Sequence, residues 1–270
     1  MLVVYRLIAI DLDDTLLASD LKISDANKNS ILKAIDKGVL VTIATGRMYK
    51  SVLPFINELK ITVPVIAFQG AYICNPITGE LIDKKIMPKE NAKQIIMDCI
   101  KDNIYIQLHT EDSFYFAQEN EYSRQYEKLS GIRGQEEKDL YKVLDLEPIK
   151  MIIMAEPDKI TALNEKYQNI YKDDMQIVVS KPSYLEFTHI DATKGRAVEK
   201  LSSILGIKQD EIICIGDSYN DISMIQYAAL GVAMANSPQA VKEKADYISK
   251  TNDEDGVAAV INKFILGEVI

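Results

Sequence analysis

Residues 7–15 of the chain read LIAIDLDDT, and this stretch decides the fold. An unbroken apolar run comes first, as in a strand that is buried on both faces of a parallel sheet. The acidic residues follow at once, at the carboxyl end of the strand, where open parallel sheets bind their ligands. Asp11 and Asp13 can converge on one point, where they repel each other unless a cation or proton intervenes. Mg²⁺ suits this position because it prefers oxygen ligands, whereas the ordinary alternative is an acidic turn that caps a helix.

On both sides of this stretch, short apolar runs alternate with helical patterns, which predicts a mostly parallel sheet. Ser24 is the expected N-cap of a helix that ends at Gly38, and a helix after Arg47 is expected to be disturbed or restarted at Pro54. Further strands are predicted at 39–44, 63–68, 212–215, 231–234 and 245–248.

The middle of the chain has a different pattern, which predicts a second α/β unit with a more antiparallel sheet. It opens with a hairpin over 72–86. Helices are then predicted at 89–102, 119–130 and 158–169, and strands at 104–109, 114–117, 150–155, 176–180 and 184–188. The predicted fold is therefore α/β, with a Rossmann-like core formed by 1–83 and 188–270 and an α/β domain inserted at 84–187. Such an insertion is tolerated because the ends of a compact domain lie close together.

Two further polar segments lie at a strand end and a helix start. Thr45-Gly46-Arg47 follows the strand at 39–44, and its hydroxyl and backbone N–H groups suit a phosphate oxygen. Lys194 opens a helix, where a positive charge opposes the helix dipole. A cation directed at an anion would explain that placement. Taken singly, the first segment also fits an ordinary strand end and the second a solvated lysine.

The last polar segment, GDSYND at 216–221, again follows an apolar run. Asp217 offers a further carboxylate for a metal, and Asn220 and Asp221 lie in the next turn. The ordinary alternative is a capped helix after a tight turn. No histidine lies near the aspartates in sequence, and Cys214 belongs to the apolar run 212–215, where it is expected to be a core residue, which disfavours zinc.

Together, the four segments resemble the motifs of the haloacid dehalogenase superfamily, and more narrowly its Cof-type phosphatases. The resemblance covers nearly the whole chain, including the tail segments 236–238 and 252–257. The long gap between Thr45 and Lys194 is similar to that of members with a large α/β cap domain, the type IIB class. One position departs from the pattern: Gln69 stands where Cof-like chains usually carry asparagine, and a local contact near the site is therefore in question.

The resemblance implies a Mg²⁺-dependent phosphatase of small phosphomonoesters that works through an aspartyl phosphate. Asp11 would be the nucleophile, and Asp13 would protonate the leaving alcohol and then activate water. The implied Mg²⁺ ligands are Asp11, the backbone carbonyl of Asp13 and Asp217, with Ser218 nearby. The implied phosphate-binding groups are the Leu12 N–H, Thr45, Gly46, Lys194 and Asn220. Thr15, Arg47 and Asp221 are further candidate site residues.

Three alternatives to this function remain open at this point. A phosphomutase of the phosphomannomutase type would also pass phosphate through an aspartate, but would have to hold the phosphorylated intermediate and exclude water. A non-catalytic phosphate-binding module should carry at least one broken motif, whereas all four are intact here. A receiver-like switch domain also clusters acids, but it lacks the second acidic motif and the long insertion.

Composition limits the partners of the chain. Its formal net charge of −9 argues against a general nucleic-acid binder, which needs a basic surface. The three cysteines are far apart in sequence and form no CxxC pair, which favours a reducing cytoplasm. No apolar run approaches the about 18 residues of a membrane span, and we expect no signal peptide. The expected partner is a small phosphorylated metabolite such as a sugar phosphate. We expect no binding to nucleic acid or to a membrane, and we expect a monomer or homodimer.

Overall fold

The computed structural model describes residues 4–268, and its strands and helices follow the alternation predicted from the sequence. Residues 1–3 and 269–270, at the two ends of the predicted core, lie outside the described residues. The first elements are β1 (Leu7–Ile10), α1 (Asp25–Asp36), β2 (Leu40–Ile43), α2 (Tyr49–Glu58), β3 (Val65–Ala67), β4 (Tyr72–Cys74) and β5 (Leu81–Lys84).

The central elements are α3 (Lys89–Lys101), β6 (Tyr105–His109), β7 (Phe114–Phe116), α4 (Glu121–Ser130), β8 (Gln135–Glu136), α5 (Leu140–Val143), β9 (Lys150–Met154), α6 (Pro157–Tyr171), β10 (Met175–Lys181) and β11 (Tyr184–His189). The last are α7 (Lys194–Ile204), β12 (Ile212–Gly216), α8 (Ile222–Tyr227), β13 (Leu230–Ala233), α9 (Gln239–Lys242), β14 (Tyr247–Ile248) and α10 (Gly256–Ile261). The short elements β8, α5 and α9 were not predicted, because a few residues are too short to show a periodicity.

A parallel sheet with the strand order β14-β13-β12-β1-β2 contains the strand before Asp11. In β1, Leu7 and Ala9 pack with Val198 and Leu201 of α7 in one apolar cluster. Since successive side chains of a strand point to opposite faces, the equally buried Ile8 and Ile10 face the other side. Burial on both faces explains the unbroken apolar run.

A second sheet, with the order β10-β11-β9-β6-β7-β8, lies in the middle of the chain. Its pairs are antiparallel except β7 with β8. One face packs on apolar side chains of α3 and α6, through residues such as Leu108, Met151 and Phe187. The predicted α/β architecture is thus confirmed, with a parallel core sheet and a separate, mostly antiparallel one.

The chain divides into two structural units. The first contains the described residues up to Gly46, Leu53–Ile82 and those from Thr193 onward, and the second contains Arg47–Val52 and Asp83–Ala192. Within the part of the chain that the structure describes, no helix combines the length and apolar character needed to cross a membrane.

Helix α2 shows a difference from the sequence prediction, because it runs through Pro54 without a restart. Val52 and Ile56, on either side of the proline, are both buried. This packing offsets the hydrogen bond that a proline inside a helix removes.

Candidate active site

The polar segments of the first unit meet at one edge of the parallel sheet. The N–H of Asp11 donates to the carbonyl of Ile215 on β12 at 2.9 Å, and the N–H of Ala44 donates to the carbonyl of Ile10 at 2.9 Å. In the strand register, Ile10 lies opposite both Ile43 and Ile215. The carboxyl ends of β1, β2 and β12 are therefore level, and Asp11 and Asp217 follow neighbouring strands.

Lys194 lies between two of the aspartates. Its Nζ donates to Oδ1 of Asp11 at 2.5 Å and to Oδ1 of Asp221 at 2.6 Å. All three side chains are at least nine-tenths buried. Lys194 is the first residue of α7, after the N-cap Thr193. The two carboxylates offset the unfavourable helix dipole, which accounts for a lysine at this position.

Burial dominates the electrostatics of the cluster. It raises the pKa of Asp11 well above its usual range, opposed by Lys194 and reinforced by Asp221 and Asp217. It also raises the pKa of Asp217 to about 7, with a contribution from the charge of Asp221. Burial alone would lower the pKa of Lys194, but the two carboxylates outweigh it and raise that pKa. The site therefore holds more negative charge than one lysine compensates.

The carboxylates of Asp11, Asp217 and Asp221 each offer an oxygen, and these atoms all lie within 4.8 Å of one another. Asp221 is surrounded by donors: its Oδ2 accepts from the N–H groups of Asp217 at 3.0 Å and Ser218 at 2.9 Å, in addition to the bond from Lys194. Asp221 therefore anchors the lysine and the turn.

A divalent cation fits the remaining two carboxylates. Oδ1 of Asp217 accepts a hydrogen bond from the Thr15 hydroxyl at 2.8 Å. Within residues 4–268, the other oxygen of Asp217 and Oδ2 of Asp11 accept no hydrogen bond. Carboxylate oxygens that only accept, in a site with more negative than positive charge, are the ligands that Mg²⁺ prefers. The carboxylate of Asp13 lies outside the cluster. The sequence predicted the backbone carbonyl of Asp13, and not its carboxylate, as a ligand of the cation.

The turn that carries Asp13 is held by Asn236, which was not predicted to have a role at the site. Asp14, which is exposed and has a left-handed backbone with φ of 56°, accepts a bond at its carbonyl from Nδ2 of Asn236 at 2.7 Å. Oδ1 of Asn236 in turn accepts from the N–H of Asn252 at 3.2 Å. The tail segments that resemble the Cof-type pattern thus fix the loop after β1. Leu12, within that loop, is fully buried.

A second residue that was not predicted for the site is Gln69. Its N–H donates to the carbonyl of Thr45 at 3.0 Å, and its Oε1 accepts from Nδ2 of Asn220 at 2.8 Å. It thereby forms hydrogen bonds with two of the predicted phosphate-binding residues. The only signal for this in the sequence was the departure from the usual asparagine. Of the other predicted residues, Thr45 is buried, Gly46 lies against Gln69, and Arg47 belongs to the second unit.

Comparisons with known proteins identify the family of the chain. A family model described as haloacid dehalogenase-like hydrolase matches residues 8–261. The 5-amino-6-(5-phospho-D-ribitylamino)uracil phosphatase YwtE of Bacillus subtilis is 32% identical over 289 residues, which cover 97% of this chain and 99% of that protein.

Solved structures of the same superfamily resemble the fold of this chain. A haloacid dehalogenase-like hydrolase from Bacteroides thetaiotaomicron has a TM-score of 0.88 at 28% identity, over 96% of this chain and 99% of that one. A subclass IIB sugar phosphatase of the same superfamily has a TM-score of 0.84 at 26% identity, over 96% of this chain and 98% of that one.

Proposed function

The chain belongs to the haloacid dehalogenase-like hydrolases and to their Cof-type branch, and from this premise we propose that it is a Mg²⁺-dependent phosphatase of small phosphomonoesters. The observation that carries the proposal is the buried group Asp11, Asp217, Asp221 and Lys194 at the strand ends. Without a catalyst, phosphomonoester hydrolysis is among the slowest reactions known. A site that accelerates it therefore needs many charged groups close together.

Asp11 is the nucleophile in the proposed reaction. Its carboxylate attacks phosphorus, the bond from phosphorus to the leaving oxygen breaks, and Asp13 gives that oxygen a proton. Asp13 then takes a proton from a water molecule, whose oxygen attacks the phosphorus. The bond from phosphorus to Asp11 breaks, inorganic phosphate leaves, and both carboxyl groups return to their starting states.

The other site residues hold the phosphoryl group and the cation. Lys194 donates to Oδ1 of Asp11 and fixes the orientation of the carboxylate. Mg²⁺, held by Asp11, Asp217 and the Asp13 carbonyl with Ser218 nearby, would neutralise charge on the transferring group. Phosphate oxygens are bound by Lys194 and by the Leu12 N–H, Thr45, Gly46 and Asn220.

Two relatives indicate the substrate class. One is named for a ribitylamino-uracil phosphate and the other as a sugar phosphatase, so both act on polyhydroxylated carbon chains that carry a phosphate. We propose the same class for this chain. We also propose that residues 84–187 form a cap domain that sets substrate choice, whereas residues 1–83 and 188–270 carry the chemistry.

The test is phosphate release from a panel of sugar, polyol, nucleotide and vitamin phosphates, measured with Mg²⁺ and with excess EDTA. We expect turnover of at least one sugar or polyol phosphate, only with Mg²⁺. A mutase would instead convert a sugar phosphate to its isomer and need a bisphosphate activator. Isomerisation without phosphate release would contradict a phosphatase.

A further inference from the structure

The turn after β3 has a backbone that its residues do not favour. Phe68, Gln69 and Gly70 have φ of 50°, 62° and 99°, all in the left-handed region. Glycine adopts this region freely and asparagine tolerates it, but phenylalanine and glutamine do not. Such strain persists only where surrounding contacts hold it in place, and it is often found at functional sites.

Contacts from three directions hold this turn. The N–H of Gln69 donates to the Thr45 carbonyl at 3.0 Å. A Cβ at Gly70 would overlap the carbonyl of Thr193, so the turn lies directly against the start of α7. The ring of Phe68 packs edge-on against Tyr72, with centroids 6.0 Å apart. The turn is thus fixed relative to both Thr45 and Lys194.

The Gln69 side chain extends from this turn to two further groups of the site. It is buried, and its Oε1 accepts from Nδ2 of Asn220 at 2.8 Å. Its amide nitrogen lies where a Cβ on Gly46 would be, so it covers the Thr45-Gly46 loop. An asparagine would be shorter by one C–C bond, about 1.5 Å. From the same backbone it would not reach Asn220.

The bond to Gln69 decides the orientation of the Asn220 amide. Within the described residues it is the one hydrogen bond of the Asn220 side chain, and Oδ1 of Asn220 is buried with no partner. Because Gln69 presents an oxygen, Asn220 must turn its NH₂ group that way, and the second N–H stays available as a donor. A flip of this amide would turn its carbonyl oxygen toward the phosphate, and two acceptor oxygens repel each other.

We propose that Gln69 is a positioning residue that acts through Asn220 and keeps its N–H directed for binding of the phosphate. This inference rests on the proposed phosphatase function. Gln69 contacts no reacting atom in this assignment. Glutamine is present at this position, although the backbone disfavours it, because its longer side chain extends to Asn220.

A double-mutant cycle tests the inference with Gln69→Met, Asn220→Ala and the combined variant. Methionine keeps the length of the side chain and removes the acceptor. The measurements are the Kd of orthophosphate by calorimetry with Mg²⁺ present, and kcat and KM for p-nitrophenyl phosphate. We expect Gln69→Met alone to raise Kd and KM about 3- to 10-fold, the value of one hydrogen bond, with a smaller change in kcat. On the Asn220→Ala background the same change should cost less than about twofold.

Gln69→Gly separates positioning from folding. It removes the side chain but suits the left-handed backbone, so we expect weak orthophosphate binding together with a Tm no lower than that of Gln69→Met. A merely structural Gln69 would lower binding by equal factors with and without Asn220, and that result overturns the inference while the phosphatase stands. A wild-type chain that neither releases nor binds phosphate overturns the proposed function, and this inference with it.

Discussion

The ammonium nitrogen of Lys194 lies 2.5 Å from Oδ1 of Asp11, although the two residues are 183 positions apart in the chain. The same nitrogen bonds Asp221, and all three groups are buried. A buried carboxylate without a counter-charge is costly, and this one lysine supplies the counter-charge for two of them. The contact links folding of the first unit to its chemistry.

Lys194→Met should therefore destabilise the protein as well as inactivate it. Removal of one partner of a buried ion pair typically costs about 3–5 kcal/mol. We expect a loss of this size in the free energy of unfolding, measured with urea in EDTA. Adding Asp221→Asn to this variant should restore part of the loss, since it removes one of the uncompensated charges. No recovery in the double variant would show that the pair is not coupled.

Asp11→Asn should abolish phosphate release and leave the fold intact. The amide keeps the volume of the side chain but cannot act as a nucleophile, and its burial does not require a charge to be desolvated. We expect kcat to fall about 10³-fold or more, with an unchanged or higher Tm. Asp14→Asn is the matched control, because Asp14 belongs to the same acidic segment but is exposed. Near wild-type turnover of Asp11→Asn would refute the covalent mechanism.

Mg²⁺ should both activate and stabilise the protein. Turnover should stop in EDTA and return with Mg²⁺, and Ca²⁺ should inhibit because its larger, looser coordination spoils the in-line geometry. Mg²⁺ at 100 times its Kd should add about 2.7 kcal/mol to the free energy of unfolding. Asp217→Asn should lose most of this stabilisation, since Asp217 supplies an open oxygen of the site. A Tm that does not respond to Mg²⁺ in the wild type would count against a cation in this cluster.

Much of this site was predictable because its main parts follow a general rule of parallel sheets. The apolar runs before Asp11 and Asp217 identify strands, and the carboxyl ends of neighbouring strands meet at one edge. The helix dipole made Lys194 conspicuous, and the structure pairs it with two carboxylates. Local signals also sufficed for Ser24, whose Oγ accepts from the N–H of Asn27 at 3.1 Å at the start of α1.

Contacts of single side chains could not be predicted in this way. Asn220 bonds Gln69 across 151 positions, and Asn236 bonds the carbonyl of Asp14 across 222. Neither contact has a periodicity, and the position of a residue after a strand does not show which distant side chain it bonds. Such bonds depend on how loops from distant parts of the chain pack together, which becomes visible only in three dimensions.

The stability of the protein should fall in mildly acidic solution because of His109 in the second unit. This ring is fully buried on β6, where it packs against Phe114 and Tyr126 and lies 2.9 Å, Nε2 to Nε2, from the amide of Gln107. Burial, reinforced by the charge of Lys150, holds the pKa of His109 well below its usual value. The folded chain therefore keeps this ring neutral at pH values where the unfolded chain binds a proton.

The sign of the effect follows from proton linkage. Above about pH 6.5 the ring is neutral in both states and costs nothing, and below it only the unfolded state gains a proton, so the free energy of unfolding falls by up to about 1.36 kcal/mol per pH unit. We expect this loss of stability to grow as the pH falls from 6.5 to 5. The variant His109→Gln should be less stable than the wild type at pH 8 because its side chain packs less well. On acidification it should lose less stability than the wild type, because both proteins share the titration of the carboxylates but only the wild type has His109. Urea unfolding followed by circular dichroism gives the free energy of unfolding of each protein at pH 8 and pH 5. Equal losses of this free energy in the wild type and the variant would exclude His109 as the source.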